Sequence, residues 1–421
     1  MRFIVFMLLM VSVQGFSQEF DQFFTDKTLR IDAVFAGNVE RKSVVIDELN
    51  ELPQWAGRRH HLSENHLKGN GTVSLYDLKT QQLIYTHSFS TLYQEWLSTE
   101  EAEKISKNFE NVFLVPFPKG AVRIEIALID KKGSYPVVLS QQIDPTDILI
   151  HKKGYQSQTP HVLLNRAKEA KKAINVVIVA EGFQQNQMAA FREYAQVTMD
   201  EIFAHQPFGQ FKDRFNFYAV ESVSQDSGVS VPRKNEWKRT AVESNFDTFY
   251  SERYLTTGRL KKLHDLLAGI PYEHIIILAN TDVYGGGGIY NAYTLTTTGH
   301  VNFKPVVVHE FGHSFAGLSD EYFYETDVLS DMQSTALEPW EQNITTLKDF
   351  DSKWKDMLVK KTPIPTDVTD SKKYPVGVYE GLAGKKIYKA TLDCRMKTNT
   401  AKEFCSVCER AISRLIQFYT D

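Results

Sequence analysis

The segment from His309 to Tyr322, HEFGHSFAGLSDEY, constrains this chain more than any other. On a helix, side chains four positions apart are separated by about 400° of rotation, so the imidazoles of His309 and His313 lie on one side, one turn apart, and can approach the same ion. Glu310, next to the first histidine, can reach a water on that ion without ligating it, as a general base must. The pattern alone is weak, so its surroundings decide. Upstream, KPVVV carries apolar residues into the helix, with Pro305 near the first turn, where a missing N–H is tolerated. Downstream, Gly317 can adopt a positive φ, end the helix and return Asp320 towards the histidines. A catalytic tetrahedral zinc centre takes three protein ligands and keeps one position open. His309, His313 and Asp320 make that set, with Glu321 the nearest competitor for the third place. The alternative is a plain helix cap at Gly317 and a solvated Asp320.

The stretches leading to this motif alternate strand and helix. INVVIVAEGF is a continuous apolar strand of the kind covered on both faces. From Met188 to Phe203, apolar residues recur at Phe191, Ala195, Met199 and Ile202, the spacing of a helix with one buried stripe. RFNFYAVES, GRLKKLHDLLAG and HIIILAN then supply strand, helix and strand. Residues 156–421 therefore read as an α/β catalytic domain. Residues 18–155 read differently: TVSLYDLKTQQLIYTHSF, NVFLVPFPKGAVRIEIALID and YPVVLSQQI are alternating or apolar runs at short spacing, which favour a small antiparallel β-sandwich. The turn-rich DPTDILIHKKGYQSQTPHV divides the two. RRHHLSENH gathers His60, His61 and His66, but without periodic placement it reads as a solvated loop.

The first residues, MRFIVFMLLMVSVQGFSQEF, have one Arg, an apolar run from Phe3 to Val13, and small residues at Gly15 and Ser17. This is the pattern of a signal peptide over residues 1–17, cut before Gln18. The run is too short to span a bilayer, and no later run approaches the roughly 18 apolar residues a transmembrane helix needs. The expectation is an exported protein, periplasmic, at the cell surface or extracellular. The formal net charge is only −4, with both signs interspersed, which argues against a nucleic-acid partner. Oligomeric state leaves no signature. The only cysteines are Cys394, Cys405 and Cys408. A structural metal cluster wants four ligands, and no neighbouring fourth stands out. In an oxidising compartment, a disulfide from Cys394 to one of the later pair is the better expectation. It would reach a final helix marked by Cys408, Ala411, Leu415 and Tyr419.

HExxH with a glycine turn and a third ligand resembles the metzincin metalloendopeptidases, whose glycine follows the second histidine by three residues. Here Gly317 comes four after His313, while Asp320 keeps the usual three-residue step from the glycine. That departure resembles the immunoglobulin A peptidase family of zinc metallopeptidases, in which a short histidine motif continues into Gly and Asp-Glu and a β-rich domain precedes the peptidase domain. AEGF at Ala180–Phe183, NTDVYGGGG and the Cys-rich end extend the similarity over nearly all the chain after its leader. The resemblance implies a metzincin-like α/β catalytic domain with one catalytic Zn2+. It also implies a methionine turn at Met396, whose thioether would pack under the imidazoles without coordinating; Met332 and Met357 are its rivals.

Within DVYGGGGIYNAYTLTTT, the four glycines from Gly285 to Gly288 make a poor strand interior, whereas AYTLTTT is a good short strand. By the resemblance, this is an exposed edge strand above the zinc that pairs with an extended substrate, giving Gly286, Gly287, Tyr293, Thr294 and Leu295 substrate-binding roles. A surface loop is the alternative. Tyr322, Tyr374 and Tyr379 all remain open as transition-state donors. The function implied is an exported zinc endopeptidase that cuts internal peptide bonds of an extended polypeptide or glycoprotein, with Glu310 as base. A zinc hydrolase of a nonpeptide bond, or an inactive peptidase-like module binding glycan or protein, are the alternatives; the intact Glu310 argues against the last.

Overall fold

Alternating sequence in the first third of the chain makes two sheets that share one core. A computed structural model describes residues 20–322, 335–382 and 386–421. The expected leader over residues 1–17, the expected cut before Gln18, and Met332 lie outside the described residues. In chain order the elements are helical turn α1 (Phe20–Phe23), β1 (Phe24–Gly37), β2 (Lys42–Leu52), β3 (Gly71–Asp77), β4 (Leu83–Phe89), helical turns α2 (Leu92–Trp96) and α3 (Glu101–Lys104), β5 (Lys107–Pro118), β6 (Val122–Leu128), β7 (Val137–Ile143) and β8 (His151–Lys152). One sheet has the order β5-β1-β2-β8 and the other β4-β3-β6-β7. All pairings are antiparallel except that of the two-residue β8, which runs parallel to β2. Inward residues alternate as a half-buried strand requires: Val73 and Leu75 on β3, and Val122, Ile124 and Ile126 on β6, meet Phe35 and Phe113 of the other sheet. Phe89 and Phe113 close the core at 4.6 Å between ring centroids.

The second domain is built around a run of eight buried residues, β10 (Ile174–Glu181), preceded by β9 (His161–Asn165). There follow α4 (Met188–Ala204), β11 (Phe215–Val220), α5 (Leu260–Leu266), β12 (His274–Ala279), β13 (Gly286–Ile289), β14 (Tyr293–Thr297) and α6 (Phe303–Ala316). The sheet order is β13-β14-β12-β10-β11-β9. The four central strands run parallel and the two edge strands antiparallel to their neighbours. A strand covered on both faces has no reason to alternate, which is why β10 and β12 are buried throughout and carry polar residues only near their ends, Asn175 and Glu181 on β10 and His274 on β12. Phe191, Ala195, Met199 and Ile202 of α4 join one core with Val307, Phe311 and Phe315 of α6 and with Ile412, Leu415 and Ile416 of α7 (Ser406–Thr420). A small sheet of β15 (Ile344–Thr345), β16 (Tyr379–Leu382) and β17 (Ile387–Lys389) lies between α6 and α7 in the chain.

The order of β13 and β14 corrects the sequence reading. AYTLTTT is an interior strand, buried at Tyr293, Thr294 and Leu295 and flanked by β12 and β13, so these residues present no free edge. The glycine run forms the edge instead. Its glycines are required by proximity to α6: a Cβ on Gly288 would fall 2.3 Å from the Glu310 carbonyl oxygen and 2.8 Å from the His313 Cβ, and one on Gly286 would fall 2.9 Å from Glu310 Oε1. The loss of strand propensity is the cost of that approach.

The two domains are pinned together by charge as well as by packing. Arg30 of β1 and Asp32 are both fully buried and pair at 2.7 Å, while the same guanidinium reaches Asp265 of α5 at 2.6 Å and the Lys261 carbonyl at 3.1 Å. Removing one partner of such a pair leaves an uncompensated buried charge. Arg30→Ala is therefore expected to destabilise the protein by about 3–5 kcal/mol in denaturant unfolding. Asp265→Asn, at a half-exposed carboxylate, is expected to cost only about 0–1 kcal/mol. Equal effects of the two would show that the buried pair is not the anchor.

Candidate active site

Two histidines, one aspartate and two backbone turns build the centre. His309 and His313 project from the last turns of α6, and their Nε2 atoms approach each other to 3.1 Å. Gly317 ends the helix in the left-handed region, φ 58°, with its N–H donating to the His313 carbonyl at 2.9 Å. Glycine takes this conformation without a Cβ penalty. The reversal carries Asp320 back, so that its Oδ1 lies 3.0 Å from His309 Nε2 and 3.3 Å from His313 Nε2. Glu321 turns away from the histidines, into the cysteine cluster described below.

Each imidazole is fixed by a main-chain carbonyl. His309 Nδ1 donates to the Arg395 carbonyl at 2.9 Å, and His313 Nδ1 donates to the Leu318 carbonyl at 2.5 Å. With Nδ1 carrying the proton, each neutral ring turns the Nε2 lone pair inward, the orientation of a metal-ligating histidine. Three acceptor atoms then face one point. Asp320 Oδ1 is buried there without a hydrogen-bond donor. A second proton on one imidazole can satisfy only one pair of the three atoms. Burial works against an imidazolium at His313, yet Asp320 outweighs it and lifts this group to about 9. The Asp320 carboxyl is held far below its usual range; burial opposes this, and the two histidines overcome it. The pocket thus attracts positive charge. Ligands about 2.0–2.1 Å from a tetrahedral zinc ion stand about 3.3–3.4 Å apart, close to the separations found here, so these residues fit that ion.

Glu310 completes the constellation, its carboxylate clustered with the two imidazoles on the side facing β13. Burial raises its pKa, while both histidines pull the other way. Beneath the helix, Met396 is fully buried, and a Cβ on Gly312 would meet its Sδ at 2.7 Å. Met396 is thus the methionine against this part of α6, whereas Met357 packs at the rim of the core. Of the three candidate tyrosines, Tyr322 stacks on His309 at 6.1 Å between centroids. The hydroxyls of Tyr374 and Tyr379 donate instead to the Lys361 and Tyr374 carbonyls. Tyr293 and Thr294 are structural: Tyr293 OH donates to the Thr257 carbonyl at 3.0 Å, and Thr294 Oγ1 pairs with Ser314 Oγ at 2.5 Å. His61 stacks on Phe418 of α7 at 5.0 Å between centroids, and His66 lies tilted against the same ring at 5.5 Å.

Sequence reasoning missed a carboxylate from the first domain. Glu95 of α2 accepts from the Tyr254 hydroxyl, and the Tyr254 ring covers Gly287 of β13. Burial, aided by the charge of Glu310, lifts Glu95 to about 7. The only signal was Thr91, which caps α2 by accepting from the Gln94 N–H at 3.2 Å and so sets the direction of that short helix.

The expected disulfide is not formed. Cys394, Cys405 and Cys408 are free and buried, with the Cys394 and Cys408 sulfurs 3.7 Å apart against the roughly 2.05 Å of a bond. A carboxylate that the sequence did not connect with them, Glu321, converges with all three thiols.

Comparison with known proteins finds two family matches. The family described as IgA Peptidase M64 matches residues 162–374, and the one described as Peptidase M64 N-terminus matches residues 19–140. No curated protein matches the chain.

The close approach of β13 to α6 has a direct test. Gly288→Ala would drive a Cβ into the Glu310 carbonyl and is expected to cost about 1–3 kcal/mol of stability. Gly258→Ala, where nothing lies within 4 Å, is the control. Thermal unfolding of the two variants compares them; an unperturbed Gly288→Ala protein would show that the strand does not press on the helix.

Proposed function

The chain belongs to the IgA peptidase M64 family, and on that premise we propose that it is an exported zinc-dependent endopeptidase, hydrolysing internal peptide bonds of protein or glycoprotein substrates. The observation that carries this reading is the convergence of His309 Nε2, His313 Nε2 and Asp320 Oδ1 on one point beside the Glu310 carboxylate. These three residues would hold a single catalytic zinc ion. Bound there, zinc would supply a Lewis acid for the scissile carbonyl and lower the pKa of a water molecule towards neutrality.

The remaining work belongs to side chains. Glu310 is placed to accept a proton from the attacking water and to deliver it to the leaving amine. Its burial favours the protonated form, which makes the carboxylate a stronger base than an exposed one. The substrate-strand role proposed for Gly286 and Gly287 passes from β14 to β13. The Gly286 N–H already donates to the Arg253 carbonyl at 3.3 Å and the Tyr254 ring covers Gly287, so a polypeptide would need this segment displaced to pair with them. The outer side of β13 meets Arg253 and Tyr254 at Gly286, so the substrate path is bounded at that end. Tyr322, stacked on His309 and hence beside the scissile bond, is proposed as the transition-state donor. The first domain supports this arrangement by presenting Glu95 behind the strand. Export rests on the leader sequence; among the described residues, no helix is long and apolar enough to cross a membrane.

Glu310→Gln keeps the shape of the side chain and removes the base. It is expected to retain zinc while turnover falls by roughly 10²–10⁴-fold. The assay incubates both proteins with a diverse set of secreted proteins, immunoglobulins and glycoproteins included, and sequences the new termini. Equal cutting by zinc-loaded Glu310→Gln would sink the mechanism, and the absence of internal cuts by the wild type across the set would sink the endopeptidase reading.

A further inference from the structure

Directly behind the proposed catalytic centre lies a second group of ligands. The Sγ atoms of Cys394, Cys405 and Cys408 and a carboxylate oxygen of Glu321 all fall within 4.8 Å of one another. All four residues are buried, Glu321 at 1% and Cys408 at 0% exposure. The Cys394 and Cys408 sulfurs stand 3.7 Å apart, and Cys408 Sγ stands 3.6 Å from Glu321 Oε1. Ligands on a tetrahedral zinc ion, with Zn–S near 2.3 Å and Zn–O near 2.0–2.2 Å, would be separated by about 3.8 Å for two sulfurs and about 3.5–3.7 Å for sulfur and oxygen. The observed spacings match both.

A second observation points to a ligand independently of the thiols. Glu321 Oε1 accepts from Asn343 Nδ2 at 3.1 Å, but Oε2 is buried with no hydrogen-bond partner. Burying a carboxylate with one oxygen unsatisfied is expensive unless a cation is beside it. Lys389 is buried nearby, yet its Nζ donates to the Glu321 and Leu392 main-chain carbonyls at 3.3 and 3.5 Å. A disulfide between any two of the cysteines would leave the third thiol and this carboxylate facing each other, with Lys389 nearby but its Nζ turned to main-chain carbonyls.

We propose that Glu321, Cys394, Cys405 and Cys408 hold a second, structural zinc ion, which fastens the Asp320–Glu321 segment to the Cys394–Met396 turn and to the start of α7. Four protein ligands close the coordination shell and leave no position for substrate, the mark of a structural rather than a catalytic site. Binding releases the thiol protons to solvent, and the ion keeps its charge throughout. The choice of zinc follows from the donor set, three soft thiolates and one carboxylate.

The position of this ion explains how the centre above it is held. Asp320 and Glu321 are consecutive, one turned to the histidines and the other to the cysteines. On the facing turn, Cys394 joins the cluster, the Arg395 carbonyl accepts from His309 Nδ1, and the Met396 carbonyl accepts from the Glu321 N–H at 2.9 Å. A metal clamp across Glu321 and Cys394 therefore sets the height of Asp320 and the rotation of the His309 ring together. Its ligands are positioning residues: none touches the reacting atoms.

The test counts metal in full-length protein after export and replaces zinc with cobalt(II), whose bonds to thiolate give a charge-transfer band in the near ultraviolet. Wild type is expected to carry two zinc ions per chain, His313→Ala one and Cys408→Ser one. Cobalt-loaded His313→Ala is expected to keep the sulfur band and Cys408→Ser to lose it. Should Cys408→Ser fail to fold, the His313→Ala protein decides alone. A single zinc that His313→Ala abolishes, a cobalt spectrum without the sulfur band, or mass mapping that finds Cys394 in a disulfide would each overturn the second site. A single zinc that survives His313→Ala with its sulfur band would support it while removing the catalytic ion, so the two readings fail separately.

Discussion

The centre depends on one main-chain contact, the hydrogen bond from the Glu321 N–H to the Met396 carbonyl at 2.9 Å. It joins the segment that returns from α6 to the turn that passes beneath it. Once they are joined, alternation along an extended chain does the rest: Asp320 faces the histidines and Glu321 faces the opposite way. The same turn offers the Arg395 carbonyl to His309, and the Gly317 reversal offers the Leu318 carbonyl to His313. Both imidazoles are thus oriented by backbone rather than by side chains. Backbone at a tight turn is hard to displace, which suits a centre whose acceptor atoms crowd within 3.0–3.3 Å.

The first domain belongs to this frame. The Ser90 N–H donates to the Tyr290 carbonyl at 3.0 Å, and Asn291 Nδ2 donates to the Ser88 carbonyl at 2.8 Å, so the loop after β13 is seated on the end of β4. Trp340, whose ring covers Gly317, donates from Nε1 to Asn70 Oδ1 at 2.8 Å. Together with the buried Arg30 anchor, these contacts hold both the edge strand and the helix cap against the β-rich domain. The β-rich domain thereby restrains two of the segments that frame the candidate site.

What could be read from sequence followed local periodicity and short-range spacing. His309, Glu310 and His313 lie within one helical stretch, and the Gly317–Asp320 step is a single turn, so their geometry follows from the chain's own stereochemistry. The unbroken apolar run of β10 likewise announced a strand covered on both faces. The failures have one physical origin, contacts between segments far apart in the chain. Strand propensity counts against Gly286–Ile289 as a strand, but it knows nothing of the Glu310 carbonyl pressed against Gly288. In sequence Glu321 reads only as a rival to Asp320, because nothing local links it to Cys394, Cys405 and Cys408. Glu95 was invisible for the same reason: its partner Tyr254 lies in the other domain.

The most direct measurement of the central claim is a crystal structure with anomalous scattering recorded on both sides of the zinc absorption edge. The account expects a peak about 2.0–2.2 Å from His309 Nε2, His313 Nε2 and Asp320 Oδ1, with the Glu310 carboxylate beside it and outside its coordination shell. A peak coordinated by Glu321 with Asp320 turned to solvent, or no peak between the histidines of zinc-replete protein, would contradict it.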